Sequence, residues 1–157
     1  MSFIILDIDN TISNDAWRIP RINWKEPDPF QRYHEYHQLS SFDEAGNHDL
    51  FQGTPHEIII MTARPVHYHA QTEEWLLRKG IDPAIILMRN TSDHVHSKEL
   101  KRQQLLSLKA MHGITREQIV CAYDDRQDVV DMYRRTLGIH AEVRRIHNVP
   151  YGDENHG

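Results

Sequence analysis

Four short apolar runs, rich in β-branched residues, constrain the fold of this chain more than any other feature: Phe3 to Ile8, Glu57 to Met61, Ala84 to Met88 and Ile119 to Tyr123. Runs of this length read as buried strands. Glu142 to Ile146 is a weaker fifth candidate, whose alternating charge suits a sheet edge. Helical patterns lie between them. Val66 to Lys79 ends in basic Arg78 and Lys79 before Gly80, and Glu99 to His112 stops at Gly113. Gln127 to Leu137 carries Val129, Val130, Met132 and Tyr133 as an apolar stripe and closes at Gly138. Strands alternating with helices imply parallel pairing through crossovers. The expected fold is therefore α/β, a three-layer α/β/α sandwich around a parallel, Rossmann-like sheet, with ligands bound beyond the carboxyl ends of its strands.

The alternation breaks between Ile12 and Phe51, a stretch too long for a structureless connection in a compact domain. It holds Trp17, Trp24, Phe30, Tyr33, Tyr36 and Phe42, so it can bury area of its own. Residues 12–51 are read as a small, mostly helical cap inserted after the first strand, with Phe30 to Leu39 as its best helix. The 157 residues fit one domain, 1–157, in which the tail from Gly152 to Gly157 is expected to fray.

A net charge of −5 gives no basic footprint for long nucleic acid, although a local basic pocket stays open. The lone Cys121 can form no internal disulfide. No signal-like N-terminus and no run of 18 apolar residues is seen, so a cytoplasmic protein that does not span a membrane is expected. The sequence is silent on oligomeric state.

The chemistry-bearing residues stand where the strands end. Asp7 and Asp9 close the first strand two residues apart, on the same side by strand periodicity. A carboxylate can attack phosphorus if a cation offsets the charges, and a second can protonate the leaving oxygen. Thr62 and Arg64 follow the second strand and offer a hydroxyl and a guanidinium to phosphate oxygens. Asp124 and Asp125 follow the fourth. Carboxylates gathered from separate strand ends call for a cation, and hard oxygen ligands favour Mg²⁺. Each group also has a plain structural explanation: surface acids opening a loop at Asp7 and Asp9, a helix cap at Thr62, an N-cap at Asp124 or Asp125.

In order along the chain, these residues resemble the motifs of the haloacid dehalogenase superfamily of phosphohydrolases. Asp7-x-Asp9-x-Thr11 looks like its first motif, Thr62 its second, a lysine its third and Asp124-Asp125 its fourth. The segment Ala122 to Arg135 is similar to the phosphatase domain of polynucleotide kinase-phosphatases, and Arg89 suits that group. No G-x-x-x-x-G-K-[ST] segment is present, so the kinase half is not expected in this stretch. The resemblance implies a phosphoric monoester hydrolase working through an aspartyl-phosphate. Asp7 would be its nucleophile, Asp9 its general acid and base, Thr62 a phosphoryl ligand, and a lysine its third-motif catalytic residue. That lysine is Lys101 or, one helical turn away, Lys98, with Lys101 fitting the motif better. Mg²⁺ would be held by Asp7, the backbone carbonyl of Asp9 and Asp124, with Asp125 a direct or water-mediated partner. Arg64, Arg89 and Arg126 would grip the substrate. That substrate is a nucleoside monophosphate or the 3′-phosphate end of a nucleic acid. A non-catalytic nucleotide-binding module, or phosphoryl transfer to an acceptor other than water, are the alternatives.

Asn10 stands where many relatives have glycine, and asparagine is the side chain that best tolerates positive φ. The 12 histidines include no H-E-x-x-H, and most are expected to be solvated, with His34 or His37 as a pocket wall. Trp17, Trp24, Tyr33 and Tyr36 are candidates either for stacking a base or for the core of the insertion.

Overall fold

The computed structural model describes residues 1–151. In chain order its elements are β1 (Phe3–Leu6), β2 (Ser13–Asn14), α1 (Pro29–Gln38), β3 (Glu44–Ala45), β4 (Glu57–Pro65), α2 (His69–Arg78), β5 (Ile85–Arg89), α3 (Ser97–His112), β6 (Ile119–Asp124), α4 (Gln127–Leu137) and β7 (Ala141–Val143). The four apolar runs form β1, β4, β5 and β6, whereas of the fifth candidate, Glu142 to Ile146, only Glu142 and Val143 lie in a strand, β7. The expected fraying of Gly152 to Gly157 lies outside the described residues.

The main sheet has the order β5-β4-β1-β6-β7, with every neighbouring pair parallel. β7 lies at an edge, as its alternating charge implied. The chain runs outward from β1 through β4 to β5, then returns to β6 on the other side. The order therefore reverses at the carboxyl end of β1, the place where open α/β sheets bind ligands.

Each face of the sheet carries its own core. Ile5, Ile59 and Met61 pack with Leu105 and Leu108 of α3 and with Val129, Val130 and Tyr133 of α4. On the other face Ile4, Leu6, Ile58 and Ile60 meet Trp75 and Leu76 of α2 and Leu50 and Phe51 of the insertion. The alternation of Ile4, Ile5 and Leu6 between two cores shows why β1 has no polar face: both sides are covered. Each large side chain fully buried this way contributes about 1.5–3 kcal/mol. Helices α3 and α4 stop where Gly113 and Gly138 adopt φ of 65° and 64°, the left-handed conformation that ends a helix.

The insertion combines α1 with short 3-10 turns, at Ala16–Arg21, Ser40–Phe42 and His48–Leu50. Its α1 begins at Pro29 behind Asp28, whose side chain accepts from the Phe30 amide, as an N-cap should. It also holds a two-stranded antiparallel ladder, β2 with β3, too short for alternation to show in sequence. The insertion seats on α2: Trp75 Nε1 donates to the Asp43 carbonyl at 2.9 Å, and Arg78 Nη2 to the Ser41 carbonyl at 2.8 Å. Its small core joins Ile19, Ile22 and Tyr36, against which Tyr33 and Tyr151 pack. The helical pattern from Val66 begins as a single 3-10 turn before α2, because β4 runs on through Pro65. No helix among the described residues is long and apolar enough to cross a membrane.

Candidate active site

After β1 the chain turns sharply. The Ile8 carbonyl accepts the amides of Thr11, Ile12 and Ser13, each at 3.0 Å, and Asn10 adopts φ of 63°. The asparagine in the motif thus supplies the left-handed turn that glycine would. This turn buries Asp7 beneath the sheet end and lets Thr11 Oγ1 donate to Asp7 Oδ2 at 2.9 Å.

Lys101 reaches the same place from α3, where its neighbours at helical spacing, Leu100, Gln104, Leu105 and Leu108, are also buried. Its Nζ donates to Asp7 Oδ1 at 2.8 Å and to Asp124 Oδ2 at 2.7 Å, with Lys101 and both acids 1% exposed. Lys98 is exposed. Of the two lysines, Lys101 is the one the fold brings to the acids.

Asp7, Asp124 and Asp125 each place a carboxylate oxygen within 4.8 Å of the others. One ammonium faces three carboxyl groups, and the imbalance is felt. Burial and the charge of Asp124 raise Asp7 from 3.8 to about 7, against the pull of Lys101. Burial and the charges of Asp7 and Asp124 also push Asp125 up. For Lys101 burial acts downward, but the charges of Asp124 and Asp7 outweigh it and hold the amine above its ordinary value. Asp125 Oδ1 is buried without a hydrogen-bond partner. A free carboxylate oxygen beside two others, short of positive charge, fits a hard divalent cation such as Mg²⁺.

Asp9 lies apart from this cluster. Its carboxylate takes Arg64 Nη2 at 2.7 Å and Arg64 Nε at 3.1 Å, and Arg18 Nη2 at 2.5 Å. Burial alone would raise Asp9, but the Arg64 and Arg18 charges hold it well below the usual carboxylate range. Any contact of Asp9 with a metal in the acidic cluster would therefore come from its backbone. Thr62 lies inside β4, where its Oγ1 accepts the Arg64 amide at 3.1 Å; it caps no helix. Arg64 also donates to Thr72 Oγ1 at 3.2 Å.

The other two arginines are held by protein groups. Arg89 donates to the carbonyls of Ala63 at 3.0 Å and Val95 at 2.6 Å. Arg126 pairs with Asp128 at 3.0 Å, while its own amide donates to Asp124 Oδ1 at 3.0 Å. Of the insertion's aromatic side chains, Trp17 and Trp24 stay 47% and 41% exposed, whereas Tyr36 is buried with Arg18 over its ring at 4.1 Å. His37 is buried and lends Asp9 some positive charge; His34 bonds Tyr68 at 2.5 Å.

Arg18 and Asp43 did not stand out in the sequence. Arg18 Nη2 donates to Asp43 Oδ2 at 2.8 Å, so the insertion delivers an ion pair directly to Asp9. An arginine inside an aromatic loop carries no periodic signal, and the pairing spans residues far apart in the chain.

The family of the polynucleotide kinase PNKP phosphatase domain matches residues 1–145. The chain belongs to that family. It is thus a phosphatase domain of the haloacid dehalogenase type, with the acidic cluster, Lys101 and Thr62 all inside the matched stretch. Among curated proteins no significant match is found. Two solved structures of Pnkp1/Rnl/Hen1 complexes, one titled an RNA repair complex, each contain a chain with TM-score 0.64 and 24% identity. Both superpositions cover 97% of this phosphatase domain, but 43% and 47% of those chains. The domain thus spans less than half the length of either. A hydrolase from Streptococcus pneumoniae TIGR4 is similar at TM-score 0.56 and 10% identity, over 89% of this chain and 90% of that one. These structural likenesses carry the fold.

Proposed function

We propose that this phosphatase domain is an Mg²⁺-dependent phosphomonoesterase acting through an aspartyl-phosphate on Asp7. Its substrate is a nucleotide, either a nucleoside monophosphate or the 3′-phosphate end of a nucleic acid. The observation that carries the reading is the buried cluster of Asp7, Asp124 and Asp125 around Lys101 at the switch point of the sheet.

Asp7 Oδ attacks phosphorus as the bond to the ester oxygen breaks, and the departing oxygen takes a proton from Asp9. Water then attacks the aspartyl-phosphate, gives its proton to Asp9, and frees phosphate and Asp7. Lys101 offsets charge at Asp7, Thr11 orients it, and the Thr62 hydroxyl serves the phosphoryl oxygens. Asp7, Asp124 and Asp125 would hold the cation, which when bound neutralises charge on the phosphoryl oxygens.

Asp9, ionised between two guanidinium groups, is a poor acid as it stands. An entering phosphate dianion competes with it for Arg64 and Arg18. As their hydrogen bonds pass to phosphate, the charges that hold Asp9 low are drawn off, burial raises it, and it takes up from solvent the proton that it then gives to the leaving oxygen. Arg64 thus grips substrate and arms the acid in one movement, while Arg89 and Arg126 are the further candidates for holding the substrate.

The test is a panel of nucleoside 5′- and 3′-monophosphates and 3′-phosphorylated oligonucleotides, with Mg²⁺ and with EDTA, on the wild type and Asp7→Asn. Release of phosphate by the wild type with Mg²⁺ alone is expected, and none by Asp7→Asn at unchanged fold. A fully active Asp7→Asn would sink the nucleophile assignment.

A further inference from the structure

The site is almost sealed, and what closes one side of it is the segment after β7. Asp7, Asp9, Thr62, Lys101 and Asp124 are all buried. Asp125, however, forms part of the wall of a cavity of about 380 Å³, large enough for a ligand the size of a nucleoside. The remaining walls come from the start of α4, with Arg126 and Gln127, from Asn10, and from His147 and Tyr151 of the closing segment.

That segment is fastened rather than loosely draped. Asn10 Oδ1 accepts the amides of Ile146 at 3.1 Å and His147 at 2.9 Å, and Asn10 Nδ2 donates to the His147 carbonyl at 3.1 Å. His147 and Tyr151 both bond the buried Asp15, and Tyr151 packs on the core of the insertion. Ile146 lies so close over Gly46 that a Cβ there would come within 2.7 Å of its Cδ1. The family match ends at residue 145, so His147 and Tyr151 lie outside it.

We propose that His147 and Tyr151 form, with Gln127 and Arg126 opposite, the binding site for the nucleoside of the substrate. This deepens the phosphomonoesterase reading above and rests on it. The wall chemistry suits that ligand. Two flat rings, 6.4 Å apart and tilted by 55°, offer surface for a base, and the exposed side-chain amide of Gln127 offers a donor and an acceptor for its polar edge. The cavity's arginines are already engaged, which argues for one nucleoside rather than a run of phosphates: Arg126 pairs with Asp128 at 3.0 Å, and Arg145 Nε donates to the Asp125 carbonyl at 2.8 Å. A ligand seated there has Asp125 at its phosphorylated end, and through Asp125 it adjoins Asp7.

The test compares Tyr151→Leu and Tyr151→Phe with the wild type on two substrates, the best nucleotide of the panel and glycerol 2-phosphate, which has no ring. Tyr151→Leu should raise KM for the nucleotide about tenfold, the scale of losing one stacked base, and leave kcat/KM for glycerol 2-phosphate within about twofold. Tyr151→Phe keeps the ring and should keep the nucleotide KM. The unphosphorylated nucleoside should inhibit hydrolysis of glycerol 2-phosphate competitively in the wild type, and about tenfold more weakly in Tyr151→Leu. A Tyr151→Leu variant that slows both substrates alike, or neither, overturns the subsite and leaves the phosphatase reading standing. A wild type that hydrolyses neither ester overturns both.

Discussion

Arg18 Nη2 lies 2.5 Å from Asp9 Oδ1, with both side chains buried. The insertion that follows the first strand thus folds back to hold the carboxylate at that strand's end. Asp43 completes the arrangement at 2.8 Å from Arg18, and Arg64 grips Asp9 from β4 at 2.7 Å. Two guanidinium groups meet two carboxylates without solvent, an arrangement costly to break from one side, because removing one partner strands a buried charge.

Arg18→Ala should therefore destabilise the fold by about 3–5 kcal/mol at pH 7. The sign with pH follows from Asp9, whose folded pKa is depressed. Its contribution is present above the unfolded carboxylate value of about 4 and lost as pH falls through the folded value. Urea unfolding should show the gap between wild type and variant at pH 7, shrinking below about pH 4. A gap independent of pH would mean that Arg18 acts through packing on Tyr36 alone.

Lys101→Met should leave Asp7, Asp124 and Asp125 without their ammonium and lower kcat by about 10²–10³, the usual scale for removing a donor aimed at developing charge. Lys98→Met removes an exposed lysine one turn away and should keep the rate within about twofold. Equal losses from both would return the choice between the two lysines to where the sequence left it. Steady-state rates on the best substrate, beside thermal melts of both variants, decide the matter.

The strand ends, and with them Asp7, Thr62 and Asp124, were legible because buried parallel strands write themselves as short apolar runs that stop at polar residues. Lys101 was singled out only through the resemblance of its surroundings to the family's third motif; helical spacing alone left Lys98, one turn away, equally placed. Nothing comparable marks Arg18, Asp43 or Asp15. They belong to a buried polar network whose members come from the first turn, the insertion and the segment after β7, and long-range ion pairs have no local period. The β2–β3 ladder escaped for want of length. His147 and Tyr151 carried no signal because their partners, Asn10 and Asp15, lie more than a hundred residues earlier.

Metal and protons should compete at the acidic cluster. Asp7 is raised from 3.8 to about 7. Such a group favours the fold below its unfolded value and withdraws that support as pH rises through about 7. A divalent cation needs the carboxylates ionised, so it should stabilise more where they already are. The rise in Tm on exchanging EDTA for Mg²⁺ should be larger at pH 8 than at pH 5, and proton release on Mg²⁺ binding should be measurable at pH 6. In Asp7→Asn the pH dependence of that rise should flatten. An equal rise at both pH values in the wild type would place the cation elsewhere.

Asn10 carries two separable burdens, and a pair of substitutions can divide them. Its backbone sits at φ of 63°, which glycine adopts freely and alanine adopts at a cost of about 1–2 kcal/mol. Its side chain holds Ile146 and His147, bonds that both substitutions remove while the Asn10 carbonyl keeps its own bond to the Ile146 amide at 3.0 Å. Asn10→Gly should keep the turn, and with it the position of Asp7, while releasing the segment after β7. Asn10→Ala should release that segment and strain the turn as well. Urea unfolding should thus rank the alanine variant below the glycine variant by about 1–2 kcal/mol, whereas hydrogen exchange at residues 146 to 151 should quicken equally in both. Were the two variants equally stable, the turn would be held by the bonds to the Ile8 carbonyl and not by the tolerance of residue 10 for positive φ. Unchanged exchange in both would mean instead that Asp15, through His147 and Tyr151, is enough to hold the segment over the site.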